Sequence, residues 1–167
     1  RGLGDVYKRQ ISGIMSLAAA SGEDLGTTSD IVTDALTAFG LQAGDAGHFA
    51  DVLAQASANA NTNVSMLGES FKYVAPVAGA MNYSVEDTSL ALGLMANASI
   101  KGSMAGTALK TSLANMAAPT DSMAAAMDKY GISLTDSEGN MKSLRGVIDN
   151  LRGSLGGLSE TCLLYTS

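Results

Sequence analysis

The chain has 167 residues, 46% of them hydrophobic, which suffices for one domain with a buried core. Its apolar mass is mostly Ala, Leu, Val and Met, with five Tyr, three Phe and no Trp, and small side chains of this kind favour helices packed closely on helices. No apolar run approaches the roughly 20 residues that span a bilayer, and between Ile11 and Thr161 scattered Lys and Arg are outnumbered two to one by Asp and Glu, which excludes a phosphate-binding surface.

At the ends, "DVYKRQ" (Asp5 to Gln10) and "CLLYTS" (Cys162 to Ser167) break the composition of what lies between and resemble translated adapter read-through. Residues 1–10 and 162–167 are therefore expected to be artefactual extensions of a truncated gene, and residues 11–161 one helical module. Cys162, the only cysteine, falls in the second extension, so no disulfide can be argued.

The first predicted helix covers Ile11 to Ala20. Thr28 or Ser29 is expected to cap the second, in which Ile31, Val32, Ala35, Leu36 and Phe39 share a face before Gly40 stops it. Asp45 is expected to cap a third helix with Phe49, Val52, Leu53 and Ala56 inward. In the fourth, Val64, Leu67, Phe71, Val74, Ala78 and Met81 follow one apolar stripe straight through Pro76. A break at Pro76 would leave Ala75, a poor capping residue, to open a new helix. The unbroken phase of the stripe favours one helix kinked at Pro76.

Ser84 and Asp87 have capping-box spacing ahead of a fifth helix, whose predicted core face is Leu90, Ala91, Leu94, Met95 and Ala98. A sixth helix places Ala105, Leu109, Leu113 and Met116 in line and ends by Pro119. Thr120 caps a seventh that carries Met123, Met127 and Tyr130 and stops at Gly131. "GISLTDSEGNMKSL" then alternates around a cluster of turn formers, which predicts a two-stranded hairpin. Leu144, Val147, Ile148, Leu151 and Leu155 stripe the last helix. The expected fold is all-α: a compact bundle of about seven or eight short helices with one small β-hairpin near residues 132–142 and no internal repeat of fixed period.

Catalytic chemistry is hard to place in this pattern. His48, the only histidine, sits in the first turn of a helix with Asp45 and Asp51 as its nearest acids, without the convergent partners a base or ligand needs. Asp30 and Asp34 share a helix face, as acidic solvent faces commonly do. "DSEGN" (Asp136 to Asn140) has the wrong glycine spacing for a calcium loop. Gly102 with Gly106, and Gly153 with Gly157, have the GxxxG spacing of close helix approach. No catalytic, cofactor-binding or metal-binding residue is expected, and no cofactor.

Read in order, "VTDALTAFGL", "NTNVSMLGESFKYVAPVA", "LGLMANASIKGSMAGTALKTSLANMAAPT" and "GNMKSL" resemble the core region of the phage tail tape measure protein family, over about Ile11 to Glu160. The resemblance implies a structural, non-enzymatic protein of tailed phages or prophages. Such a protein occupies the lumen of the growing tail tube, sets its length, assists its assembly and leaves at genome ejection. It implies partners among tail tube and tail-tip proteins and tail assembly chaperones, together with self-association. The implied location is the virion tail lumen, and the host cytoplasm during assembly. Direct nucleic-acid binding by this segment is not expected, and membrane contact belongs only to a full-length parent. An unrelated helical interaction module is the alternative reading, and the non-catalytic part of a phage lytic protein another.

Overall fold

In the computed structural model, residues 3–139 and 141–157 are described. The helices are α1 (Leu3–Ser21), α2 (Leu25–Phe39), α3 (Ala46–Asn59), α4 (Val64–Ala80), α5 (Val85–Asn97), α6 (Gly102–Ala117), α7 (Asp121–Tyr130) and α8 (Leu144–Leu155), with a 3-10 turn at Ala43–Asp45. α1 starts at Leu3, so residues 3–10 continue the helix that the sequence places from Ile11. The chain divides into one unit of residues 1–113 and a second of residues 114–167.

Short polar side chains open most of the helices. The Asn63 side chain accepts the Met66 N–H at 2.8 Å, Ser84 accepts that of Asp87 at 3.1 Å, and Ser143 accepts that of Gly146 at 3.1 Å. Thr120 caps α7 in the same way. Gly40 and Gly131 close α2 and α7 at φ 67° and 64°, where a Cβ would be strained. Two expected caps differ. Asp24 rather than Thr28 or Ser29 opens α2, and Thr28 is buried one turn in, donating to the Asp24 carbonyl at 2.9 Å. Asp45 makes no cap bond to α3; its carboxylate accepts the Gln42 N–H and closes the preceding turn.

α4 runs unbroken through Pro76. Pro76 and Lys72 both stand on the exposed face, so the Lys72 carbonyl that loses its helical partner is positioned to meet water, while Val74, Ala75 and Ala78 are buried on the other side. Neighbours hold the helix on both sides of the proline. Gly68 presses on Ile31, and Gly79 on the backbone of Ala38 and Phe39.

These approaches define the first unit. Gly13 meets Gly47 and pairs α1 with α3, while the Gly68 and Gly79 approaches set α4 parallel to α2. His48 meets Glu86, and Asn61 meets Asn97, setting α5 parallel to α3. Within the first unit α1, α3 and α5 thus form one layer and α2 and α4 the other, in a stack where helices pack on their neighbours. The last two pairings span 38 and 36 residues, the offset of helical-hairpin repeats. No repeat is legible in the sequence because what recurs is a single small residue at a close approach. Phe71 lies between the layers, edge-on to Phe49 at 5.5 Å and to Phe39 at 5.9 Å.

α5 corrects the expected core face. Leu90 and Leu94 are 42% and 46% exposed and Ala98 is exposed, whereas Val85, Thr88, Ala91, Leu92 and Ala96 are buried. Both faces carry apolar residues at helical spacing. The buried one includes Thr88, whose hydroxyl is satisfied within the helix by the Ser84 carbonyl at 2.8 Å.

The second unit corrects the predicted hairpin near residues 132–142. Among the described residues there is no strand, only one isolated bridge between Thr135 and Met141. The returning arm is too short, because Ser143 already caps α8 two residues after Met141. One backbone bond joins the arms, from the Lys142 N–H to the Leu134 carbonyl at 2.7 Å, and side chains take up neighbouring backbone groups. The Ser133 N–H donates to Asn150 Oδ1 at 3.1 Å, and Lys142 Nζ donates to the Ser133 carbonyl at 3.1 Å.

Candidate functional site

The parallel pair α3 and α5 carries a surface groove. At its N-terminal end His48 Nε2 bonds Glu86 Oε1; at its C-terminal end Asn97 Oδ1 accepts the Asn61 N–H at 2.8 Å. Between these ties lies a space of about 310 Å³, lined by Val52 and Ala56 from α3, by Ala60 just past its end, and by Leu90, Gly93 and Leu94 from α5. Gly93 keeps the helices close, since a Cβ there would come within 3.3 Å of the Ala60 Cβ. Ser89 also lines the groove. It is 2% exposed, and its hydroxyl has no hydrogen-bond partner among the described residues.

The electrostatics are one-sided. α3 and α5 carry Asp51, Glu86 and Asp87 but no Lys or Arg. Partial burial pushes the Glu86 carboxyl up, but hydrogen bonds to His48, to its own backbone N–H and to Ser84 outweigh it, so its pKa lies below the ordinary value. Beside the groove, the Tyr83 hydroxyl is buried without a partner among the described residues; burial, and then the charge of Asp87, raise its pKa.

The residues singled out in the sequence do not converge. His48 is 62% exposed at its side chain and pairs with Glu86, 38 residues away, rather than with Asp45 or Asp51. Asp30 and Asp34 are both exposed on α2. In the 136–139 turn Asp136 Oδ1 accepts the Glu138 N–H, and Gly139 has φ 85°; Asn140 and Cys162 lie outside the described residues. Among the described residues no three His, Cys, Asp or Glu side chains are placed to hold a metal ion. No helix there is long and apolar enough to cross a membrane. The groove itself was not anticipated, and its signal was the second apolar face of α5.

The profile of the family described as phage-related minor tail protein matches residues 7–162. The chain belongs to that family. It is 45% identical over 148 residues to the tape measure protein of Pneumococcus phage Dp-1, covering 89% of this chain and 13% of that protein. It is 26% identical over 140 residues to the probable tape measure protein of Escherichia phage P2, covering 84% of this chain and 17% of that one. The chain therefore spans less than a fifth of the length of these relatives. No solved structure matches it. For this phage-related minor tail protein the similarity supports a structural tail component, and the described surface centres on a helix-lined groove.

Proposed function

We propose that the chain is a folded structural module of a tail tape measure protein, a segment that supports tail tube assembly without itself serving as the axial ruler. The parent sets tail length and takes part in genome ejection. Its partners are tail tube and tail-tip proteins, tail assembly chaperones and further copies of itself. It works in the tail lumen after assembly in the host cytoplasm, and this segment supplies no catalytic group.

The observation that carries the reading is the side-by-side stacking of α1, α3 and α5, because a helix counts as ruler only where its residues advance along one axis. The test is an in-frame deletion of α5 in the parent phage, read by electron microscopy. The 13 residues of α5 would shorten a ruler by about 20 Å at 1.5 Å each. The module reading expects failed tail assembly or insoluble protein, since the deletion uncovers the α3 and α4 cores. Infectious tails uniformly shorter by about that amount would overturn it.

A further inference from the structure

The groove between α3 and α5 points to an occupant. We propose that it seats a basic amphipathic helix of a partner protein, lying antiparallel to α3 and α5 with a Lys or Arg of its last turn beside Glu86. The assignment rests on this surface alone and does not depend on whether the segment is ruler or module.

Geometry supplies the first argument. α3 and α5 are tied at both ends of the groove, so the seat exists before anything binds. From Glu86 to Asn97 it is about 16 Å long, three turns of helix. Leu90 and Leu94, one turn apart, present to water the side chains that a third helix would cover, and Ala60 and Gly93 leave room for its backbone. Ser89 lines the same groove, and its buried hydroxyl has no hydrogen-bond partner among the described residues.

Charge then selects the occupant. Glu86, bonded to His48, is the one charged residue of the lining and makes its N-terminal end an acidic rim. α3 adds Asp51 and α5 adds Asp87, near His48 and Glu86 in sequence, and neither helix carries Lys or Arg; the rest of the groove is bordered by the uncharged amides of Gln55, Asn59 and Asn97. A second copy of the chain would bring the same acidic rim and a net charge of −6. A helix with Lys or Arg in its last turn complements the rim, and its negative C-terminus then lies against the positive N-termini of α3 and α5.

The test titrates the intact, isotope-labelled chain with two synthetic helical peptides that share one leucine face. One carries Lys in its last turn and the other Glu. Saturable amide shifts are expected at Val52, Ala56, Ser89, Leu90 and Leu94, with the Lys peptide about tenfold tighter than the Glu peptide at low salt. Glu86→Gln should narrow that ratio. The double variant Leu90→Gln, Leu94→Gln alters exposed side chains, so it should keep the amide spectrum of the fold while losing binding. Equal affinity for the two peptides, binding retained in the double variant, or no saturable shift at millimolar peptide would each overturn the proposal. So would a chain that sediments as a dimer and becomes monomeric in the double variant, since the groove would then belong to a second copy.

Discussion

Gly106 of α6 lies directly against the backbone of Ser70 in α4. A Cβ built on Gly106 would overlap the Ser70 carbonyl oxygen, and the Ser70 hydroxyl donates to the Gly102 carbonyl at 2.8 Å, so the two helices meet at a point where only hydrogen fits. An alanine in a helix interior ordinarily gains about 1 kcal/mol over glycine. Here the overlap with backbone, which cannot rotate away, reverses the sign. Gly106→Ala should lose about 2 kcal/mol in urea unfolding. Gly153→Ala, in open space on α8, should instead gain up to about 1 kcal/mol. Equal effects at both sites would mean that the α4–α6 approach is not tight.

Phe71 is 2% exposed and packs edge-on against both other phenylalanines, so it joins α4 to α2 and α3 at once. Phe71→Ala should cost about 3–5 kcal/mol, with loss of amide protection in all three helices. A loss confined to α4 would mean that the two layers are held independently.

Pro76→Ala tests what the proline costs α4. Proline in a helix interior costs about 3 kcal/mol, through the lost hydrogen bond and the clash of its ring with the carbonyl four residues back. Water at the exposed face does not remove that clash, so the substitution should gain stability, by up to about 3 kcal/mol, and amides on both sides of residue 76 should already be protected in the native chain. No gain would show that the packing of α4 on its neighbours compensates for the proline.

How much of this was legible in the sequence depends on the kind of information each feature needs. The stripe through Pro76 was readable because helix phase is local, and Ser84 and Thr120 were readable as helix openers because a cap acts within three residues. The face of α5 was not. "LALGLM" offers two apolar faces, and α3 and α4, brought alongside by the stack, decide which is buried. The His48–Glu86 tie was equally invisible, because nothing local relates residues 38 apart. The alternation of Ile132 to Leu134 signalled a strand, but the cap at Ser143 left that strand no partner of useful length.

The same tie carries a pH dependence. Glu86 has a lowered pKa in the folded chain, so its contribution is complete above the ordinary carboxylate range and is lost as pH falls through the folded value. The pair is half exposed, which limits the effect to below about 1 kcal/mol. Glu86→Gln should therefore be slightly less stable than the native chain near neutral pH and equal to it in acid. A difference that persists below the carboxylate range would overturn the assigned sign.

Stacking on neighbours alone also sets how the first unit responds to tension. A load on one terminus meets the interfaces in series, so it opens the outermost hairpin while the remainder keeps its packing. With successive tiers about 36 residues apart, each release frees about 120 Å of extended thread before the next interface bears the load. Pulled from its ends, the first unit is therefore expected to lengthen in steps of one tier rather than all at once.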